Sequence, residues 1–166
     1  LQNPALYPHP VRGFRVLETH ISWVILTGDL AYKIKKPVDF GFLDFTRLAD
    51  RRHFCEEELR LNRRLSGDLY QRVVAIGGTP DAPVLDGGGE PIEYAVQMRE
   101  FPQSQLLDAL QARGALPVAV LEALARRIAR FHAETPAAAD GHPQRQPAAL
   151  RAPMIQNFRM IRPWLT

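Results

Sequence analysis

The chain has only one cysteine, Cys55, among its 166 residues. A single thiol excludes an internal disulfide and a cysteine-rich zinc site, so a reducing cytoplasmic environment is expected. No run of apolar residues approaches the length of a membrane-spanning helix, and the first residues do not resemble a secretory signal peptide. We therefore expect no membrane partner. Because the sequence starts at Leu1 rather than at a methionine, we also expect it to be part of a longer protein.

Lysine is also scarce. The three lysines, Lys33, Lys35 and Lys36, lie in one short stretch, and all other basic side chains are arginines. A compact ammonium is preferred over a planar guanidinium where a strand residue must reach a nucleotide phosphate. The alternative is a strand edge whose lysines face water and discourage pairing with other chains.

Composition restricts the class of protein. The chain is 46% apolar and 23% charged, which is typical of a globular protein rather than a disordered one. Its net charge of +3 suits an anionic ligand but does not indicate a specific nucleic-acid partner.

The pattern of apolar residues changes near residue 102. Before it, β-branched and aromatic runs predict five strands, over residues 11–17, 21–26, 31–36, 72–76 and 91–99. After it, helical spacing predicts segments over 103–111, 117–133 and 154–165, with a proline-rich irregular connector over 136–153. The predicted fold class is α+β.

A helix predicted over residues 47–65 carries a carboxylate in an unusual place. Phe54, Cys55, Leu59, Leu61 and Leu65 form one apolar arc, and Glu58 falls almost at its centre. A carboxylate on a packing face requires a cation. Strand alternation directs Lys33 and Lys35 to one face of the preceding strand, and we favour a Lys33–Glu58 ion pair. Access of Glu58 to water, or pairing with Arg51, is the alternative.

These residues resemble a known family. Residues 31–33, Ala-Tyr-Lys, are similar to the Ala-x-Lys strand motif of the protein-kinase-like fold, and residues 58–65 are similar to its following helix. The runs 18–24, 31–45, 52–62 and 93–98 more closely resemble bacterial aminoglycoside phosphotransferase-like proteins. The nearest group is often fused to a C-terminal P-loop ATPase domain.

The resemblance implies a kinase-like small lobe over residues 1–99, made of a five-stranded antiparallel sheet and one helix. Residues 100–166 would then be the hinge and the first helices of a truncated large lobe. The implied cofactor is ATP or GTP with Mg²⁺, and the implied acceptor is a hydroxyl of a small molecule. The resemblance assigns the nucleotide to a set of candidate residues: Lys33, Glu58, Ser22, Gln97, Met98, Arg99, Glu100 and Phe101.

Within that set, Lys33 would hold the phosphates and Glu58 would hold Lys33. Ser22, or backbone amides around Ile21, would touch phosphate, and residues 97–101 would line the base pocket through backbone groups. The tripeptide Asp39-Phe40-Gly41 has the letters of the kinase metal-binding motif, but it stands before the helix, so we interpret it as a coincidence.

No catalytic or metal-binding residue is predicted in this segment. After the long helix the only acids are Glu134 and Asp140, and neither has the sequence setting of a catalytic loop. We therefore expect this segment alone to be inactive. Two alternatives to an enzyme remain: a nucleotide-sensing module that regulates an attached ATPase domain, and an interaction domain. We also expect a homo-oligomer, formed through an apolar stripe on the last helix, which consists of Met154, Ile155, Phe158, Ile161 and Leu165.

Overall fold

A computed structural model describes residues 1–87, 89–137, 139–143 and 146–162. The chain divides into two compact units, Leu1–Leu116 and Pro117–Thr166, which we call the sheet unit and the helical unit. The class is α+β, as predicted, with one antiparallel sheet and several helices.

The sheet unit is built on six strands rather than the predicted five: β1 Arg15–Glu18, β2 Ser22–Leu26, β3 Leu30–Lys35, β4 Tyr70–Gly78, β5 Pro83–Leu85 and β6 Glu93–Arg99. Their order is β1-β2-β3-β6-β4-β5, and every neighbouring pair is antiparallel. The missed strand, β5, is a three-residue edge strand that starts at a proline. Proline lacks the N–H that an inner strand must donate, so a short proline-led run is weak evidence for a strand from sequence alone.

The turn between β2 and β3 depends on Gly28. Its φ is 105°, a value that side-chain-bearing residues rarely adopt. An added Cβ at this position would also lie only 2.8 Å from the Cβ of Arg12. A side chain at residue 28 would therefore disturb the turn that returns β3 beside β2.

One face of the sheet carries the apolar core. Ile25, Tyr32, Ile34 and Val74 are buried there beneath the N-terminal segment. Tyr7 of that segment is also buried and donates a hydrogen bond of 2.7 Å from its hydroxyl to the carbonyl of Leu1. The residues before β1 are thus part of the fold rather than a free tail.

The opposite face of the sheet supports α1, Leu48–Ser66, which packs on β6 and β4. The predicted bounds were correct to one residue. Cys55 is completely buried, as expected, but Leu61 and Leu65 are 46% and 39% exposed, so the predicted apolar arc was wrong at its C-terminal end. Part of the packing face of α1 is occupied by charged side chains, Arg51 and Glu58, that form ion pairs with residues of the sheet.

The sheet unit ends in a short helical stretch. A 3₁₀ turn at Gln103–Gln105 precedes α2, Leu107–Ala112, where the sequence predicted one amphipathic segment over 103–111. Both lie within Leu1–Leu116.

The helical unit contains α3, Val118–Glu134, and α4, Pro147–Ile161. The prediction for α3 was correct to one residue, but α4 begins well before residue 154, so the predicted connector is too long. Pro147 occupies the first turn, where a missing N–H costs nothing, and Pro153 is accommodated inside the helix. Leu165 of the predicted stripe lies outside the described residues. No helix in the described ranges is long and apolar enough to cross a membrane.

Candidate functional site

The candidate site is built on the face of the sheet that supports α1. In β3, Lys33 stands opposite Val24 of β2 and Val96 of β6. Side chains alternate along a strand, so Lys33 and Lys35 project to the same face, whereas Tyr32 and Ile34 enter the core on the other side.

Glu58 of α1 meets both of these lysines. Its Oε1 lies 2.7 Å from Nζ of Lys33, and its Oε2 lies 2.7 Å from Nζ of Lys35. The side chains are 25% exposed for Lys33, 5% for Lys35 and 13% for Glu58. The predicted Lys33–Glu58 ion pair is therefore present, and the alternative of Glu58 pairing with Arg51 is wrong. The second lysine was missed, although strand alternation had placed it on the same face.

The environment of Glu58 favours its ionised form. Burial raises the pKa of this carboxyl, but the hydrogen bonds and charges of Lys33 and Lys35 outweigh burial and leave the pKa below its ordinary value of 4.5. Two nearby groups stay neutral around physiological pH. Burial raises the pKa of the Cys55 thiol to about 11, and burial followed by the charge of Glu58 raises the pKa of Tyr70.

Lys35 and Lys36 have different surroundings. Nζ of Lys35 lies 5.0 Å from the centre of the Phe45 ring, which packs a cation against an aromatic face. Lys36 contacts the Glu18 carboxylate, and its Nζ lies 5.2 Å from the Trp23 ring. The three neighbouring lysines therefore serve two separate clusters.

Lys33 borders a cleft of about 260 Å³. Most of the other lining residues are apolar, and the lining comes from β1, β2, β3, β4 and β6 together with Thr19 and the segment after β6. The lining is formed by Leu17, Thr19, Val24, Leu26, Ala31, Lys33, Tyr70, Met98, Arg99, Glu100, Phe101 and Gln103. An apolar cleft with a single lysine ammonium at one side is suited to a flat apolar ring joined to an anionic group.

The segment that follows β6 is held to the turn after β2. The N–H of Glu100 donates to the carbonyl of Asp29 at 2.8 Å, and its Oε2 accepts from the N–H of Gly28 at 2.7 Å. The next N–H, that of Phe101, makes no hydrogen bond to any described residue. Phe101 itself is one of the residues that line the cleft beside Lys33.

Six of the eight residues assigned from sequence are brought together: Glu58 contacts Lys33, and Lys33, Met98, Arg99, Glu100 and Phe101 line the cleft. Two are not. Gln97 stands opposite Tyr32, on the core side of the sheet, and donates from Nε2 to Oε1 of Gln71 at 2.8 Å. Ser22 is the first residue of β2, stands opposite Lys35 and is completely buried. Its hydroxyl is therefore not accessible to a ligand bound at the turn between β1 and β2. Its Oγ has no hydrogen-bond partner among the described residues.

A second cleft, of about 440 Å³, lies beside the first and shares Thr19 with it. Its wall includes Phe40 and Phe42, whose rings stack with centroids 6.3 Å apart. Gly41 between them donates its N–H to Oδ1 of Asp39 at 2.7 Å. The tripeptide 39–41 therefore forms part of a small exposed turn between β3 and α1. Within the described ranges, no three His, Cys, Asp or Glu side chains are placed to share a metal ion.

Comparison with known proteins gives relatives without an assigned activity. The chain is 38% identical over 128 residues to an uncharacterized protein of Mycobacterium bovis and to uncharacterized proteins of two strains of Mycobacterium tuberculosis. The match covers 75% of this chain but only 24% of each relative, so the chain spans about a quarter of their length. No family profile and no solved structure matches the chain.

Proposed function

We propose that this chain is the nucleotide-binding part of a phosphotransferase with a protein-kinase-like fold, similar to the aminoglycoside phosphotransferases. The observation that carries the proposal is the strand lysine held by the helix glutamate at 2.7 Å, at the side of an apolar cleft. In kinase folds this ion pair positions the nucleotide phosphates.

The residues of the cleft fit a purine nucleotide. Ala31, Val24 and Met98 offer apolar surface for the base, and the N–H of Phe101, which pairs with no backbone carbonyl among the described residues, is a candidate hydrogen-bond donor to it. Lys33 supplies a cation for the phosphates. The cleft of about 260 Å³ is slightly below the roughly 300–1,000 Å³ of ordinary ligand pockets. The sheet unit therefore provides one wall of the site, and we expect weak affinity from it.

Magnesium would enter with the ATP or GTP phosphates and offset their charge. We assign no protein ligand to it here, because the described residues bring no three suitable side chains together. The acceptor would be a hydroxyl of a small molecule. We expect residues 1–166 to bind the nucleotide without transferring its phosphoryl group, since neither acid after the long helix, Glu134 or Asp140, has the sequence setting of a catalytic loop.

The test is calorimetric titration of the purified chain with MgATP and MgGTP. Lys33→Met should weaken the binding strongly, whereas Lys36→Met, which removes a lysine of the same stretch outside the cleft, should leave it unchanged. Equal loss in both variants, or no binding at millimolar nucleotide, would reject the proposal. A nucleotide-sensing module would share the binding result but would show no phosphoryl transfer in the complete natural protein.

A further inference from the structure

The position of Lys35 has a consequence for the proposed site. Resting on the proposed function, we infer that Lys35 is a positioning residue that keeps Glu58 ionised and in place when Lys33 turns to the nucleotide phosphates. Lys35 acts through Glu58 and does not itself touch the nucleotide.

The two lysines contact Glu58 in different ways. Each takes a different oxygen of the same carboxylate, at 2.7 Å. Lys33 lines the cleft and is 25% exposed, so its ammonium can leave the Glu58 carboxylate and bind a phosphate oxygen instead. Lys35 is 5% exposed and does not line the cleft, and its Nζ lies over the Phe45 ring. The Lys35 ammonium can therefore pair with Glu58 but cannot reach a ligand in the cleft.

Charge explains why a second lysine is useful. With a single buried lysine–glutamate pair, movement of the lysine to a ligand leaves a buried carboxylate without a cation, which is strongly unfavourable. Here two ammonium groups share one carboxylate, so the cluster carries one excess positive charge. Lys33 can turn to the phosphates while Glu58 retains Lys35.

The other groups facing Glu58 cannot take over this role. Tyr70 of β4 and Cys55 of α1 are neutral around physiological pH because burial raises both pKa values. Arg51 of α1 is engaged by Glu93 of β6. Lys33 and Lys35 of β3 are thus the cations available to Glu58 among the described residues.

The first experiment requires no nucleotide. The carboxyl ¹³C shift of Glu58, assigned with Glu58→Gln, is titrated in the wild type, in Lys35→Met and in the control Lys36→Met. We expect the pKa of Glu58 to rise in Lys35→Met and to stay unchanged in Lys36→Met. An unchanged pKa in Lys35→Met would overturn the inference. Should that variant fail to fold, Lys35→Gln keeps a polar contact to Glu58 without the charge and tests the same point.

The second experiment measures MgATP affinity against pH. Lys35→Met should bind MgATP about tenfold more weakly near neutral pH. As the pH is lowered, Glu58 of this variant should be protonated sooner, so its remaining affinity should be lost at a higher pH than the affinity of the wild type. In a Glu58→Gln background the same substitution should have little effect, because its target is already neutral. A similar loss in both backgrounds, with a parallel pH profile, would mean that Lys35 only supports the fold. Absence of binding by the wild type would instead reject the proposed function, while the ¹³C titration still reports on Lys35 and Glu58.

Discussion

The guanidinium of Arg51 on α1 forms an ion pair with the carboxylate of Glu93 on β6, and Nε of Arg51 lies 3.0 and 2.9 Å from Oε1 and Oε2 of Glu93. The same side chain donates from Nη1 to the carbonyls of Phe45 and Thr46, at 2.8 and 2.9 Å. Arg51 is only 8% exposed. This buried contact fixes the start of α1 on the sheet and, two turns later, places Glu58 above the lysines.

Removing one partner of that contact should destabilise the sheet unit strongly. Arg51→Met leaves the Glu93 carboxylate without its cation and leaves two backbone carbonyls without their donor, so we expect a loss of about 3–5 kcal/mol. The double variant Arg51→Met/Glu93→Gln should lose less than the sum of the two single changes. Urea denaturation measures all three. Arg52→Met, an exposed neighbour on the same helix, is the control and should change stability by less than about 1 kcal/mol.

The Lys33–Glu58 pair should show energetic coupling in nucleotide binding. Lys33→Ala and Glu58→Ala should each weaken MgATP binding, and the double variant should cost less than their sum by about 1–3 kcal/mol. Calorimetric titration of the four proteins closes the cycle. Strict additivity would contradict a shared role for the two residues.

Stability should depend on pH through Glu58. The folded pKa of this carboxyl lies below its ordinary value of 4.5, so its ionised form stabilises the folded state. That contribution is complete above about pH 4.5 and is lost as the pH falls through the lower folded pKa. The difference in free energy of unfolding between the wild type and Glu58→Gln should therefore shrink between about pH 5 and about pH 2. Denaturant titrations across this range check the sign, and a difference that grows in acid would contradict it.

The last described helix should promote self-association. Met154, Phe158 and Ile161 are 61%, 66% and 46% exposed on α4, and apolar stripes of this kind usually find a partner. We expect a dimer or higher oligomer, as the sequence already suggested. Light scattering with size-exclusion chromatography should show a larger mass for the wild type than for Phe158→Ser. Arg159→Ser, on the same helix, is the control, and a wild type that stays monomeric at high concentration would contradict the prediction.

Much of this molecule follows from local patterns in the sequence. The antiparallel class, the bounds of α1 and α3, and the meeting of Lys33 with Glu58 could be predicted, because periodicity and strand alternation are short-range properties. The burial of Cys55 followed from the same helical pattern. The resemblance to kinase-like proteins rested on sequence motifs, and the activity it implies stays a prediction.

Tertiary structure alone decided the remaining features. The pairing of Arg51 with Glu93 joins residues far apart in sequence, and no local pattern indicates which of many arginines is buried. Gln97 lies on the core face of the sheet because β6 pairs with β3 in the register that puts Gln97 opposite Tyr32. A shift of one residue in that register would move the Gln97 side chain to the other face. The sharing of Glu58 by two lysines was decided in the same way. Alternation placed both ammonium groups on one face, but only the packing of α1 across the sheet brought a single carboxylate within reach of both.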